Sequence, residues 1–311
     1  MSGAQALPVI DISPLGSGAD DPATVRAIDR ACRDTGFFLC TGHGVDPGRT
    51  ARLYALARAF FDLAEDDKRR WGQGTEVPGG LSFAPMLQEA LGATTGAPAP
   101  ADLKESLNYG PRLPGGNWPP LPDGLRRAFE EYFAEMEGLA QRLRRAFCAA
   151  IGLAPDHLEP AFVGHTSALR VINYPAQTVP PEPGQLRAGA HTDYGFITIL
   201  RSEATPGGLQ VQSRDGGWHD VPAVEGAYVI NIADALMRWT NDEWVSTPHR
   251  VANPPPEAGG MARRQSIPFF VNPASDATIA CLPPFVGGGA KYEPISFGDY
   301  IALKTRQAFG G

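Results

Sequence analysis

His191 and Asp193 stand two residues apart in Ala190-His191-Thr192-Asp193-Tyr194-Gly195. On an extended segment, side chains at i and i+2 leave from the same face, so this imidazole and carboxylate can grip one ion. A third donor has to come from another segment. His249, in the strand-like Ser246-Thr247-Pro248-His249-Arg250-Val251, is the candidate. Two imidazoles and one carboxylate on one side of an ion leave open positions on the other. Fe(II) centres that bind both a cosubstrate and O2 use that arrangement. A lone His-x-Asp is common in proteins. The other histidines, His43, His157, His165 and His219, read as surface or satisfied core residues.

A second pair raises the specificity of the first. Arg264 and Ser266 are also two apart, in the apolar run Arg264-Gln265-Ser266-Ile267-Pro268-Phe269-Phe270. A guanidinium turned into a hydrophobic interior needs an anionic partner, because an unpaired buried charge is costly. Its fork matches a carboxylate, and a neighbouring hydroxyl can donate another bond. The alternative is an outward Arg264 paired with a surface acid. Arg263 stands next to it, and only one of the two can point inward.

Elements that can hold these residues follow from pattern and punctuation. Leu7 to Ile12 reads as a strand. Asp21 and Pro22 form a cap-and-proline helix start, with Val25, Ile28 and Cys32 as the apolar stripe. Gly36 ends that helix, and Phe37 to Cys40 reads as the next strand. Asp46 and Pro47 repeat the start signal before Leu53, Leu56, Phe60 and Leu63. Residues 78–122 are rich in Gly and Pro. They read as irregular chain with short strands, forming a lid or wall of a pocket. Asp123 is the expected cap of a long helix striped by Leu125, Phe129, Tyr132, Met136, Leu139, Leu143 and Phe147 and ended by Gly152. That stripe is core, not a cofactor box. Beyond Ser167, strands are expected over 168–174, 196–200, 209–212, 217–221, 227–232 and 265–271. Turns at Pro206-Gly207-Gly208, Asp215-Gly216-Gly217 and Asn253 through Gly260 separate them. A run of short strands argues for a sandwich or barrel. The fold class is therefore mainly β with flanking helices. A region 1–120 packs on a core of 121–311 as one compact unit, because no polar linker divides them.

Composition narrows the function. The 311 residues are 43% hydrophobic and 20% charged, as in ordinary globular proteins, and are enough for a substantial core. A formal charge of -7 gives no chain-wide footprint for nucleic acid. The basic triplet Lys68-Arg69-Arg70 reads as a solvated helix end. Cys32, Cys40, Cys148 and Cys281 form no CxxC pair and read as buried free thiols of a reducing compartment. Met1 to Asp11 lacks a signal-peptide pattern, and no apolar run approaches a membrane span. A cytoplasmic monomer with no nucleic-acid or membrane partner is the expectation.

His191-x-Asp193, then His249, then Arg264-x-Ser266, in that order, resembles the 2-oxoglutarate- and Fe(II)-dependent oxygenase superfamily. The likeness is greatest to the branch containing isopenicillin N synthase and the plant flavonoid and gibberellin oxygenases. It covers nearly the whole chain. Leu7-Pro8-Val9-Ile10-Asp11, Gly36-Phe37-Phe38 through Gly42-His43-Gly44, Asp102-Leu103-Lys104-Glu105 and Trp239-Thr240-Asn241-Asp242 also match. Gly42-His43-Gly44 lacks the lysine and spacing of a phosphate loop and reads as a turn.

The resemblance implies a double-stranded β-helix (jelly-roll) core backed by the long helix, with an N-terminal region of the non-haem dioxygenase type. It implies Fe(II) held by His191, Asp193 and His249, with 2-oxoglutarate and O2 as cosubstrates. The far carboxylate of 2-oxoglutarate would meet Arg264 and Ser266, with Tyr174 beside it. The plant enzymes usually carry an asparagine three residues before a proline. Here that position is Ile172, and Asn173, one step later, is a weaker cosubstrate contact because alternation turns it to the other face. The implied activity is oxidative decarboxylation of 2-oxoglutarate coupled to hydroxylation, desaturation or cyclisation of a small molecule, in bacterial natural-product metabolism. Phe83, Phe196 and Phe270 flank the motifs and are the candidate substrate contacts. Leu81-Ser82-Phe83 departs from the family's usual Gly-Tyr, which places substrate choice in 78–122. Rival readings are an Fe(II) oxidase on the same scaffold without 2-oxoglutarate, a zinc hydrolase, and a non-catalytic binding protein.

Overall fold

The computed structural model describes residues 7–16, 21–71, 77–95, 98–120, 122–205, 207–258 and 262–309. Of the segments discussed above, residues 1–6, Gly96, Ala97, Leu121, Pro206, Gly259 and Gly260 lie outside these.

Helices start where the sequence signals them, with one exception. The Asp21 side chain accepts from the Thr24 amide at 2.7 Å and starts α1, Pro22–Asp34. The Asp46 side chain accepts from the Gly48 amide at 2.7 Å and starts α2, Pro47–Phe61. A short α3, Glu65–Arg70, follows. The long α4, Leu125–Ala150, has its expected stripe buried from Leu125 to Phe147, but Asp123 does not cap it. The N-cap is Gly124, at φ 80° and with no side-chain cap bond. Asp123 stands one residue too early for the position from which a side chain reaches the first-turn amides. Two later helices are α5, Asp234–Trp239, and α6, Phe297–Phe309.

Strands run in chain order as follows. β1 is Val9–Asp11, β2 Phe37–Thr41, β3 Val77–Pro78, β4 Leu81–Ala84, β5 Glu105–Tyr109 and β6 Pro114–Gly115. Then come β7 Ala168–Tyr174, β8 Ala188–His191, β9 Ile197–Ser202, β10 Leu209–Gln212, β11 Trp218–Asp220 and β12 Tyr228–Ile232. β13 His249–Val251, β14 Arg264–Val271, β15 Thr278–Ile279 and β16 Ile295–Ser296 complete the set. The major sheet has the order β1-β2-β12-β9-β14-β7-β5-β4, and the minor sheet β11-β10-β13-β8. Together they form the jelly-roll core. The major sheet unites strands from the N-terminal region with strands of the core.

Alternation decides what each face of the major sheet meets. Phe38, Leu169, Val171, Ile199, Ile230, Ile267, Phe269 and Val271 turn toward the helical layer and share one apolar core with α1, α2 and α4. Phe133 of α4 meets Phe269 of β14 edge-on at 5.0 Å. The opposite face, carrying Phe37, Tyr174, Thr198, Leu200, Arg264 and Ser266, faces the minor sheet across a cavity. Every second residue of these strands is thereby committed to that cavity.

The stretch 78–122 is more ordered than expected. It contains β5, a strand within the major sheet, and with it a buried ion pair. Glu105 accepts from Lys68 Nζ at 2.7 Å and from Asn173 Nδ2 at 2.8 Å. Lys68 is accordingly buried, correcting its reading as part of a solvated helix end; Arg69 and Arg70 are the exposed members of that triplet. The reason is tertiary: the end of α3 lies over β5, where a carboxylate needs a cation. Cys32, Cys40 and Cys148 are buried free thiols, whereas Cys281 is partly exposed. Among the described residues no helix is long and apolar enough to cross a membrane.

Lys68 Nζ also lies 3.0 Å from Glu65 Oε2, whereas the buried Glu105 has no other cation among the described residues, so removing Lys68 strands Glu105 at a cost of about 3–5 kcal/mol. Lys68→Ala should therefore lower the unfolding free energy by about 3 kcal/mol or more, measured by urea denaturation. A loss below about 1 kcal/mol would assign the pair to the category of weak surface bridges.

Candidate active site

β8 ends at His191, and β13 begins at His249; the two are cross-strand partners. Register thus brings their rings to 4.4 Å between centroids. Asp193 lies just past the strand end, where backbone bonds pin the chain. Its carbonyl accepts from the Asp234 amide at 2.9 Å, and the Gly195 carbonyl accepts from the Ala235 amide at 3.0 Å. Gly195 is required there, because a Cβ would stand 2.0 Å from Asn272 Oδ1.

Each imidazole is oriented by a backbone carbonyl. His191 Nδ1 lies 2.8 Å from Gly189 O, and His249 Nδ1 lies 3.2 Å from Thr247 O. A carbonyl only accepts, so each Nδ1 carries the proton and each Nε2 presents a lone pair. His191 Nε2 is 3.9 Å from Asp193 Oδ1, and His249 Nε2 is 3.8 Å from Asp193 Oδ2. One ligand atom from each residue falls within 4.8 Å of the other two. Burial, followed by the charge of the neighbouring His249, holds His191 well below the ordinary imidazole value, so the ring is neutral near pH 7. Burial alone would raise the Asp193 carboxyl. The facing His249 and His191, with hydrogen bonds from Thr198 and Asn231, outweigh it and hold the group below its ordinary value.

Those two hydrogen bonds come from residues that the motif does not include. Thr198 Oγ1 donates to Asp193 Oδ2 at 2.5 Å and Asn231 Nδ2 donates to the same oxygen at 2.7 Å. They fix the plane of the carboxylate. Their signal was present in the sequence: Thr198 and Asn231 are single polar residues within apolar strands, Ile197-Thr198-Ile199 and Ile230-Asn231-Ile232. Nothing in the sequence alone says that both converge on one oxygen.

The cavity beside this cluster has a volume of about 330 Å³ and is walled by both sheets. His191, Asp193, His249, Tyr174, Arg264, Ser266 and Phe270 line it. Arg264 is 2% exposed, and its guanidinium lies 5.1 Å from the Tyr174 ring centroid. Its Nη1 is buried and meets no acceptor among the described residues. Arg263 turns the other way: its Nε donates to Asn173 Oδ1 at 2.9 Å, and its Nη1 pairs with Asp62. Of the two arginines, Arg264 is therefore the inward one.

Three of the expected contacts are not at the cavity. Asn173 faces the helical side, its amide used by Glu105 and Arg263. Phe83 is 4% exposed and packs edge-on against Phe60 at 5.7 Å. Phe196 is fully buried among Phe147, Phe162 and Trp239. Flanking a motif in sequence does not place a side chain on the motif's face. Phe270 remains at the cavity because it shares the parity of Arg264 along β14.

Asp102 and Lys104 of the Asp102-Leu103-Lys104-Glu105 motif join Glu89 and Arg170, which no motif includes, in a charged network that closes the other end. Lys104 Nζ lies 2.9 Å from Glu89 Oε2 and 3.2 Å from Asp102 Oδ2, and Arg170 Nη1 lies 3.1 Å from Glu89 Oε2. Asp102 also accepts from the amides of Gly189 at 2.8 Å and Leu91 at 3.1 Å, tying the 3-10 turn Leu91–Thr95 to β8 beside His191. The approach is close: a Cβ on Gly189 would stand 2.4 Å from Gly92 N. Burial would raise the Glu89 carboxyl, but Arg170 and Lys104 bring it down to about 2. This part of 78–122 is thus a wall of the cavity.

The residues present fit a first-row divalent ion and an anionic cosubstrate. Two neutral imidazoles and an ionised carboxylate form the donor set of Fe(II) centres with open positions. The unpaired Arg264 Nη1 is a charged donor whose isolation in a protein interior is costly unless an anion meets it.

Comparison with known proteins gives the same picture. The family described as the 2OG-Fe(II) oxygenase superfamily matches residues 166–273, and the family described as non-haem dioxygenase in morphine synthesis N-terminal matches residues 7–128. The 2-oxoglutarate-Fe(II) type oxidoreductase hxnY of Emericella nidulans is 31% identical, the alignment covering 98% of this chain and 91% of that one. Validamycin A dioxygenase of Streptomyces hygroscopicus subsp. limoneus is 30% identical, with 97% and 86% covered. A full-length Neurospora crassa protein, solved in complex with alpha-KG (2-oxoglutarate) and thymine, superposes with a TM-score of 0.81 at 30% identity, covering 97% of this chain and 96% of that one.

Asn231→Ala should lower Mn(II) affinity by about 10–100-fold, as for other groups that orient a metal ligand, while unfolding stays cooperative. Metal titration followed by electron paramagnetic resonance measures this, and unchanged affinity would separate Asn231 from ion binding. Glu89 offers a second test. Its carboxyl titrates at about 2 when folded against 4.5 ordinarily. The stability it contributes is present above 4.5 and is lost as pH falls toward 2. Between pH 4 and 3, the fall in unfolding free energy per pH unit should be smaller in Glu89→Gln by up to about 1.4 kcal/mol. Parallel slopes for the two proteins in denaturant titrations would contradict this.

Proposed function

The chain belongs to the 2OG-Fe(II) oxygenase superfamily, and from that premise we propose that His191, Asp193 and His249 hold its Fe(II) and that Arg264 and Ser266 receive the far carboxylate of 2-oxoglutarate. It is a 2-oxoglutarate- and Fe(II)-dependent dioxygenase that couples decarboxylation of the cosubstrate to oxidation of a small molecule. The observation that carries the residue assignment is the convergence of the two Nε2 atoms on the Asp193 carboxylate at 3.8 and 3.9 Å, in a cavity that also holds Arg264.

Each residue then has a physical task. When bound, Fe(II) supplies the O2-binding and redox chemistry that turns 2-oxoglutarate into succinate and CO2 while a substrate C–H bond is oxidised. Gly189 O and Thr247 O keep both Nε2 lone pairs available. Thr198 and Asn231 hold the carboxylate ionised and in one plane. Arg264 stacks on Tyr174 and presents an unused N–H to an anion, with Ser266 one alternation step along the same face. Tyr174 supports the guanidinium as well as bordering the cavity. Apolar walls from Phe37, Leu200, Leu209 and Val251 keep water from that end of the cavity.

The free cysteines support a reducing, cytoplasmic setting. A monomer acting on a bacterial natural product is our reading of the chain's biology. The segment 1–120 and the remainder 121–311 are read as one folding unit, supported by the strands β1, β2, β4 and β5 that the N-terminal region places in the major sheet.

Arg264→Ala should raise the 2-oxoglutarate concentration needed for half-maximal succinate formation at least about tenfold, since a charge-assisted fork is lost. Succinate assayed against 2-oxoglutarate concentration measures this. An unchanged requirement would move the cosubstrate's far carboxylate elsewhere.

A further inference from the structure

An arginine stands toward each end of the cavity on one pair of strands, Arg264 at one and Arg170, paired with Glu89, at the other. On β14, Arg264, Ser266, Pro268 and Phe270 face it; on β7, Arg170, Ile172 and Tyr174 do. Register sets Tyr174 opposite Arg264, and Ala168 opposite Phe270. Arg170 and Phe270 therefore lie toward the far end of the strand pair from Arg264. Arg170 lies four residue steps along β7 from Tyr174, a rise of about 13 Å between Cα atoms. The two guanidiniums have different neighbours, Arg264 the Tyr174 ring and Arg170 the Glu89 carboxylate and the Phe270 ring.

Arg170 is held but not used up. Its Nη1 donates to Glu89 at 3.1 Å, and its other N–H groups meet no acceptor among the described residues. Its guanidinium stands 5.8 Å from the Phe270 ring centroid, and its side chain is 24% exposed. Glu89 is ill suited to bind a cationic ligand, since one of its oxygens already faces both Lys104 and Arg170. A third cation would stand against those two.

We propose that Arg170 anchors the oxidised substrate, which is a small molecule bearing a carboxylate or similar oxyanion, and that the Phe270 ring packs on its apolar or planar body. This rests on the assignment of Arg264 to 2-oxoglutarate. It makes the substrate-side specificity of the cavity anionic, with one arginine for each organic acid. The planar fork reads the acceptor geometry as well as the charge.

The test uses the full chain loaded with Mn(II), a redox-inert substitute, and saturated with 2-oxoglutarate so that Arg264 is occupied. Benzoate, benzamide and benzylamine are titrated and followed by ligand-observed NMR. Benzoate should bind most tightly and benzylamine least. Arg170→Gln should weaken benzoate at least about tenfold more than it weakens 2-oxoglutarate, and Arg170→Lys should recover part of the loss. Benzylamine binding as well as benzoate, benzoate indifferent to Arg170→Gln, or no benzoate binding by a chain that binds 2-oxoglutarate would each overturn the proposal. A parallel loss of both ligands in Arg170→Gln would mark a collapsed cavity and also overturn it. Failure of the wild-type chain to bind 2-oxoglutarate would remove the parent assignment as well.

Discussion

A carboxylate buried between two β-sheets has to be matched by donors, and the Asp193 side chain is the point on which this molecule turns. Its Oδ2 takes hydrogen bonds from Thr198 and Asn231, and its two oxygens face His249 and His191 at 3.8 and 3.9 Å. Without an ion those imidazoles are close neighbours of the carboxylate. With one, the same geometry becomes three ligands on one side of a centre whose other side faces the cavity. β9 and β12 supply the two donors and β8 and β13 the two imidazoles, so both sheets meet at one side chain.

Alternation carries that arrangement along the barrel. One parity of β7 and β14 builds the apolar contact with α4, and the other parity builds the cavity. A single shift of register in β14 would exchange Arg264, Ser266 and Phe270 for Gln265, Ile267 and Val271. The packing of Phe133 on Phe269 is thus also what turns Arg264 inward. Core stability and site geometry are two consequences of one pairing.

Ion pairs organise the part of the wall that has little regular structure. Asp102, Lys104 and Glu89 hold the 3-10 turn against β8, and Lys68 with Glu105 holds α3 against the major sheet. Buried pairs of this kind add little net stability over apolar packing but penalise alternative arrangements that leave a charge alone. In a Gly- and Pro-rich segment, that penalty takes over the role that periodic apolar residues have in α4. It also leaves Arg170, partnered through one nitrogen among the described residues, at the far end of the cavity from Arg264.

The sequence by itself determined the His191-x-Asp193 and Arg264-x-Ser266 spacings, the helix starts at Asp21 and Asp46, and the α4 stripe, and left open which of Arg263 and Arg264 turns inward. These depend on local periodicity and capping, which a single segment carries within itself. It also displayed the family likeness, because the motif order survives whatever the loops do. Only the tertiary structure decided that Thr198 and Asn231 share one Asp193 oxygen, and that Lys68 is buried by Glu105. It likewise decided that Phe83 and Phe196 belong to the core while Phe270 reaches the cavity. Those outcomes are cross-strand and cross-layer contacts between residues far apart in the chain. Which face a residue takes depends on partners that local pattern cannot name.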